Sequence, residues 1–87
     1  MSATASENRH TTPGHRVIAQ VGGVHAAAAL AGGSSKSVYR WLQPVDKGGG
    51  GGLIPVPAQR RMVENAQARG LALGFGDFAP QAGEVIL

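Results

Sequence analysis

Apolar residues recur three or four positions apart in separate segments along the chain, the spacing of one face of an α-helix. Another segment, "VHAAAALA", is rich in alanine, the residue that favours helix most strongly. The inward-facing positions that this pattern predicts are, in chain order, Val17, Ile18 and Val21; Val24, Ala27, Ala28, Leu30 and Ala31; Val38, Trp41 and Leu42; and Ala58, Met62, Val63 and Ala66. The pattern therefore predicts four short helices and an all-α fold.

Glycines mark the ends of three of these segments. Gly22-Gly23 follows the first, Gly32-Gly33 the second and Gly70 the fourth. Glycine adopts the left-handed conformation that closes a helix without a Cβ penalty. Because Ser34 or Ser35 then offers an N-cap for the third helix, we expect a tight corner between the second and third helices.

The remaining segments lack helical spacing. Five successive glycines, Gly48–Gly52, have too much backbone freedom for helix or strand, and they predict a compliant loop. Leu53 and Ile54 are expected to fold back over the core. The segment "LALGFGDFAP" is expected to act as a lid with a single turn around Asp77, through Leu71, Leu73, Phe75 and Phe78. The final "EVIL" predicts either a frayed end or an added strand.

These patterns divide the chain into one small domain with two flanking segments. Residues 1–13 are polar without periodicity and are interpreted as a disordered N-terminal arm. Residues 14–80 carry the predicted helices, and residues 81–87 form a C-terminal tail. The expected fold is a compact all-α domain of four to five helices, a size that suits a small core.

Composition excludes several classes of protein. The 87-residue chain has no cysteine, so it has neither disulfides nor zinc–thiolate sites. No apolar run approaches the roughly 18 residues of a membrane span, and the N-terminus lacks the order of a signal peptide. We therefore expect a soluble cytoplasmic protein with no membrane partner.

Charge suggests a polyanionic partner. The formal net charge is +3, and the first half carries most of the excess. From Arg9 to Lys47 the chain contains five basic residues and a single acidic one, Asp46. Clustered Lys and Arg side chains gain affinity for phosphates through counterion release, so nucleic acid becomes a candidate partner.

The sequence shows no pattern typical of an enzyme active site. A phosphate-binding loop requires Gly-x-x-x-x-Gly-Lys-Ser/Thr between a strand and a helix, and neither glycine cluster has that context. His10, His15 and His25 share no metal-binding spacing, and the carboxylates are scattered singly. We expect no catalytic residue, no metal ligand and no cofactor, and hence no enzyme.

The glycine–serine corner fits a helix-turn-helix. That motif needs a small residue where the helices cross, a glycine at the turn, and apolar anchors on the second helix. With Gly32 as the turn glycine, Ala28 is the crossing residue, and Val38 and Trp41 are the anchors. All of these requirements are met in a single register.

From about Val17 to Pro80 the chain resembles the small lambda-repressor-like and Cro-like helix-turn-helix regulators of phages and bacteria. The resemblance lies in the order of "V-x-x-W" at Val38–Trp41, the glycine loop, and "IP" at Ile54-Pro55. It continues through "ARGLAL" at Ala68–Leu73 and "DF" at Asp77-Phe78. The chain departs from the family in its longer, looser loop and in "GFGDF", which lacks a Ser/Thr-Pro cap. A short or absent last helix is therefore expected.

The resemblance implies that the third helix lies in the major groove of double-stranded DNA. It nominates the start and outer face of that helix for DNA contact, namely Ser34, Ser35, Lys36, Tyr39, Arg40 and Gln43. Lys47 and Arg16, together with Arg9 of the arm, are expected to contact the phosphate backbone. Tyr39 has an amphipathic ring, and packing within the protein is an equal alternative for it. Arg60 and Arg61 are expected to be solvated.

The resemblance also implies a homodimer on a two-fold operator. The leading hypothesis is a small transcriptional regulator, a repressor or phage-type switch, that binds a specific DNA sequence. The alternative is a protein-interaction module on the same fold, either an antitoxin-like inhibitor or an adaptor to polymerase or phage machinery.

Overall fold

Four short α-helices account for most of the regular structure in the computed structural model, which describes residues 12–87. The helices are α1 (Pro13–Val21), α2 (Val24–Ala31), α3 (Ser35–Leu42) and α4 (Val56–Ala68). Two 3₁₀ turns follow α3 and α4, at Val45–Lys47 and at Phe75–Phe78. The part of the chain that the structure describes contains no strand. The all-α prediction and the four predicted helices are therefore confirmed.

Three helices end in the same backbone arrangement. A left-handed glycine follows each of α1, α2 and α4, with φ of 111° at Gly22, 70° at Gly32 and 72° at Gly70. In α2, the Gly33 N–H bonds to the Ala28 carbonyl at 3.0 Å, and the Gly32 N–H bonds to the Ala29 carbonyl. This paired pattern is the Schellman motif, which satisfies carbonyls that would otherwise lack a partner. The sequence-based helix ends hold because glycine occupies each left-handed position.

The first helix begins earlier than the sequence pattern indicates. The Thr12 hydroxyl accepts the His15 N–H at 3.1 Å and so caps α1, with Pro13 in the first turn. Thr12 and Pro13 are both fully buried. The last two residues of the expected 1–13 arm thus belong to the folded part, and residues 1–11, with Arg9 and His10, lie outside the described residues.

The core lies between α2, α3 and α4, and α1 covers it from one side. Its buried apolar residues are Val17, Ile18, Ala27, Ala28, Leu30, Ala31, Val38, Trp41, Ile54, Ala58, Met62, Val63, Ala66, Leu73 and Phe78. Val21, Val24 and Leu42 are partly buried at its margin. Every inward-facing position predicted from helical spacing therefore lies in or against the core. Ile54 does fold back over it, but the prediction was wrong for Leu53, which is exposed.

The predicted lid is only half formed. Leu73 and Phe78 are buried, but Leu71 and Phe75 are exposed. Leu71 is held at the surface because its N–H closes the end of α4 on the Ala66 carbonyl, at 2.8 Å. Phe75 opens a 3₁₀ turn of only four residues, of which the last reaches the core. The prediction was therefore wrong for Leu71 and Phe75, and the expected single turn around Asp77 is present.

The glycine run is an ordered part of the fold. Its two last members, Gly51 and Gly52, are buried, and the Gly14 N–H of α1 bonds to the Gly52 carbonyl at 2.6 Å. A Cβ on Gly52 would overlap the Thr12 side chain. The prediction of a compliant loop is therefore wrong, because the five glycines let two backbones and the cap of α1 approach closely.

The C-terminal tail also packs on the domain. It turns at residues 82–83 and forms no strand, and Leu87 exchanges backbone hydrogen bonds with Val45 and Gly51. No helix within residues 12–87 has the length and apolar character needed to cross a membrane.

Candidate nucleic-acid interface

Helix α3 starts directly after the turn that ends α2. Ser34, in extended conformation, caps it by accepting the Ser37 N–H at 3.4 Å, while Ser35 is the first helical residue and is half-buried. Of the two serines offered by the sequence, Ser34 is the cap. The free N–H groups and positive dipole end of α3 are consequently at the surface beside the turn.

The two faces of α3 differ sharply in exposure. Val38 is fully buried and Trp41 is only 8% exposed, so both anchor the inner face. Lys36, Tyr39 and Arg40 are exposed on the outer face, with Tyr39 at 54%. The structure therefore decides between the alternatives for Tyr39, whose ring projects from the protein rather than packing within it.

The outer face of α3 forms one wall of an open groove, called here the α3 groove. Its residues are Lys36, Tyr39, Arg40, Gln43, Lys47, Gly48 and Gly49. The first four come from α3 and its C-cap, and the last three come from the loop that follows. Lys36 and Arg40 also line a second depression with Ser34 and Ser37 at the start of the helix. Six of the eight predicted DNA-binding residues thus line these two connected hollows.

The cations of the α3 groove are free of carboxylates. Among residues 12–87 a single ion pair is present, between Arg16 and Glu84, so Lys36, Arg40 and Lys47 carry their charges to solvent. Even Asp46, adjacent to Lys47 in the chain, forms no ion pair within 4.0 Å. The groove therefore presents uncompensated positive charge and side-chain hydrogen-bond donors.

Backbone N–H groups of the glycine run cap the C-terminus of α3. Gly50, Gly51 and Gly52 donate to the carbonyls of Arg40, Gln43 and Trp41, at 3.1, 2.8 and 2.8 Å. The Trp41 and Gln43 carbonyls lie at the end of the helix, where intrahelical donors run out, and the Arg40 carbonyl also accepts the Gln43 N–H at 3.2 Å. The loop thus returns to the helix it follows, and in doing so it places Gly48 and Gly49 as the second wall of the α3 groove.

Close approach requires glycine at the centre of this cap. A Cβ on Gly49 would overlap the carbonyl oxygen and Cβ of Gln43, and one on Gly50 would lie 2.9 Å from the Trp41 carbonyl oxygen. No real side chain tolerates such contacts without a backbone shift. The glycine run is a helix cap built from a distant backbone, and the groove depends on it.

Asn65 is a supporting residue that sequence reasoning missed. Its amide on α4 donates to the carbonyl of Leu30, near the end of α2, at 2.6 Å. This bond joins α4 to the last turn of α2, immediately before Gly32. The signal in the sequence was a polar residue beside Met62, Val63 and Ala66 on a helix that packs against the core.

Arg16 lies apart from the α3 groove. Its Nε donates to Glu84 Oε2 at 2.6 Å, and its Nη2 donates to the Ala79 carbonyl at 2.9 Å. The Arg16 guanidinium lowers the pKa of the Glu84 carboxyl below its ordinary value, partly offset by desolvation, and the Gln81 N–H adds to the lowering. The guanidinium expected to contact phosphate is thus bound within the protein.

The described residues offer no cluster of His, Asp or Glu side chains that could hold a metal ion. His15 and His25 are exposed on separate helices, α1 and α2. The chain matches no protein-family model, no curated protein and no solved structure.

Proposed function

We propose that this chain is a double-stranded DNA-binding protein that recognises a specific sequence and acts as a small transcriptional regulator. In this proposal α2 and α3 form a helix-turn-helix of the lambda-repressor-like type, and α3 lies in the major groove. The protein is not an enzyme and needs no cofactor. It acts as a homodimer on two half-sites about 34 Å apart, one turn of the duplex.

The observation that supports this proposal most strongly is that α3 has one buried face and one exposed face. The indole of Trp41 is buried beneath the helix, and the side chains that could touch DNA stand on the opposite side. A polar face packed inside the molecule, or an exposed indole, would have ruled the proposal out. The unpaired cations of the α3 groove supply the electrostatic attraction that non-specific DNA binding requires.

Each groove residue has a matching chemical partner on DNA. Arg40 and Lys36 can donate to the two major-groove acceptors of guanine, and Gln43 can form a paired contact with adenine. Tyr39 offers a hydroxyl and an apolar ring edge that suits a thymine methyl group. The N–H groups at Ser34 and Ser35 suit a phosphate, because the positive end of the α3 dipole lies there. Lys47, on the opposite wall, is placed for the backbone phosphates.

Selection of bound sites from random duplex DNA tests the proposal directly. We expect a recurrent, two-fold symmetric sequence and a complex with the mass of two chains on one duplex. Against the selected site, Arg40→Ala should weaken binding by about 1–3 kcal/mol, the usual value of a good base contact. Recovery of unrelated sequences would remove sequence specificity from the proposal.

Arg69→Ala is the matched control. Arg69 is exposed at the end of α4 and does not line the α3 groove. Because both variants lose one positive charge, the comparison separates a base contact from general electrostatics. Equal affinities of the two variants for the selected site would remove Arg40 from the interface.

A second candidate function is a protein-interaction module, either an antitoxin-like inhibitor or an adaptor to polymerase or phage machinery. An exposed apolar groove favours it, formed where the loop before α4 meets the second 3₁₀ turn. Its lining includes Leu53, Val56 and Phe75, all of them exposed, together with Pro80. Retention on random DNA with steep salt dependence supports DNA binding, and salt-independent behaviour favours this second function.

A further inference from the structure

The C-terminal segment, residues 79–87, makes two sets of contacts with elements far from it in sequence. One set joins it to α1. Arg16 donates to the Glu84 carboxylate and to the Ala79 carbonyl, and the Gln81 N–H donates to the same carboxylate at 2.8 Å. The Glu84 side chain is only 7% exposed, so this end of the segment packs closely against the domain.

The other set joins the segment to the loop that carries Lys47. The Val45 N–H donates to the Leu87 carbonyl at 3.1 Å, and the Leu87 N–H donates to the Gly51 carbonyl at 2.8 Å. Leu87 therefore bridges the two ends of the loop 45–51. A Cβ on Gly51 would lie 3.0 Å from Ile86 Cγ2, which shows that the segment packs directly on the glycine run.

The loop closed in this way is the second wall of the α3 groove. Lys47, Gly48 and Gly49 all lie between the two residues that Leu87 holds. The Val45–Lys47 turn contributes no buried residue of its own, so hydrogen bonds rather than core packing keep it in place. The position of Lys47 relative to α3 is therefore set jointly by the bonds from Gly50, Gly51 and Gly52 to α3 and by the attached segment.

We propose that residues 79–87 position the lysine-bearing wall of the α3 groove, with Glu84 and Leu87 as positioning residues that tie this wall to α1. The expected effect on DNA binding rests on the proposed function. The attachment of residues 79–87 to α1 and to the loop is present without DNA. Neither residue contacts DNA in this arrangement. Glu84 attaches the segment to α1 through Arg16, and Leu87 attaches the segment to the loop 45–51.

Glu84→Gln, compared with Glu64→Gln, tests the attachment to α1. Glu64 is exposed on α4 and forms no ion pair with any residue between 12 and 87, and both variants lose one negative charge. In full-length free protein, Glu84→Gln should speed amide exchange at Val45 and Leu87 by about tenfold, because a charge-assisted contact is lost. Glu64→Gln should leave both rates unchanged. Unchanged exchange in Glu84→Gln would overturn the proposal.

Leu87→Pro, compared with Leu87→Ala, tests the attachment to the loop. Proline removes the N–H that donates to Gly51, whereas alanine keeps it. The Val45 amide should exchange faster only in the proline variant. Because Leu87 is exposed and outside the core, both variants should retain the helical circular dichroism of the parent chain. Equal Val45 exchange in the two would also overturn the proposal.

Binding to the selected duplex then tests the consequence for the groove. Glu84→Gln and Leu87→Pro should bind about three- to tenfold more weakly than their matched controls, since one of the two restraints on the position of Lys47 is lost. Faster exchange with unaltered affinity would refute the positioning role and leave the proposed function intact. Failure of the parent chain to bind any duplex would refute the proposed function, and the role of the segment with it.

Discussion

At the residue scale, the glycine run shows how a side chain can be excluded by a neighbour distant in sequence. Gly49 has no left-handed φ, and its requirement for glycine comes from the carbonyl and Cβ of Gln43 and from the Arg40 carbonyl oxygen, which would lie 2.7 Å from a Cβ placed there. Local propensity treats such a residue as a flexible spacer. In this fold it is the position where the cap of α3 leaves no room for a methyl group.

Gly49→Ala is therefore expected to lower the free energy of unfolding by about 1–3 kcal/mol, the range of an overpacked interior site. Gly76→Ala is the control, since a Cβ there meets nothing within 4 Å and its φ is not left-handed. Urea unfolding followed by circular dichroism measures both. Similar unfolding midpoints for the two variants would contradict the proposed packing of the loop.

The ion pair between Arg16 and Glu84 gives the fold a pH dependence at the acid end. The pKa of Glu84 is lowered in the folded chain, chiefly by its hydrogen bond from Arg16, so the ionised carboxylate stabilises the fold. That contribution is complete above the ordinary pKa of a glutamate and is lost as the pH falls through the lowered folded value.

We therefore expect the parent chain to be more stable than Glu84→Gln near neutral pH, and the difference to shrink as the pH falls below the ordinary pKa of a glutamate. Urea midpoints at several pH values measure it. Glu64→Gln, whose carboxylate has no ion pair, should differ little from the parent throughout. A difference for Glu84→Gln that stays constant with pH would contradict the assigned role of the carboxylate.

At the element scale, the helices follow from local pattern because each carries its own boundary signal. Helical spacing gives the buried faces, and Gly22, Gly32 and Gly70 give the ends. The C-terminus of α3 has no such glycine, and its partners are backbone N–H groups eight to eleven residues further on. No side-chain pattern marks a contact between two backbones, so the ordered loop could not be predicted.

The corner between α2 and α3 depends on a similar contact. Sequence pattern located the corner through Ala28, Gly32, Val38 and Trp41, but not the bond from Asn65 to the Leu30 carbonyl. Only glycine adopts the left-handed conformation of this turn without a penalty. The Asn65 side chain bonds α2, the first helix of the corner, to α4. The angle at which α3 leaves the corner is thus supported from two sides.

Asn65→Ala should destabilise the fold by about 1–2 kcal/mol, because it leaves a part-buried carbonyl without its donor. Gln67→Ala provides the comparison, since Gln67 lies exposed on the same helix and its side chain makes no hydrogen bond within the described residues. Thermal unfolding of both variants measures the effect. Both substitutions raise helix propensity, so a loss as large for Gln67→Ala would mean that the bond to α2 does not explain the effect.

At the scale of the whole molecule, charge and topology decide which cations are available to a partner. The sequence groups Arg16 with Lys36, Arg40 and Lys47 because all lie in the basic stretch from Arg9 to Lys47. It could not foresee that Glu84 would return to α1 and bind the Arg16 guanidinium. The exposure of the α3 residues follows from helix periodicity. The ion pair of Arg16 depends on the path of the C-terminal segment, which helix periodicity does not indicate.

This distribution of charge sets the expected salt dependence of DNA binding. If Lys36, Arg40 and Lys47 all lie close enough to the duplex to displace condensed counterions, at base edges or at phosphates, each chain displaces about three of them, and the plot of log K against log salt falls with a slope of about −2.7 per chain. Lys47→Ala removes a phosphate contact but no base contact. It should reduce the slope by about one per chain and weaken all sequences alike, while Arg69→Ala, outside the α3 groove, should leave the slope unchanged. A slope reduced equally by Arg69→Ala would mean that DNA contacts a broader surface than the α3 groove.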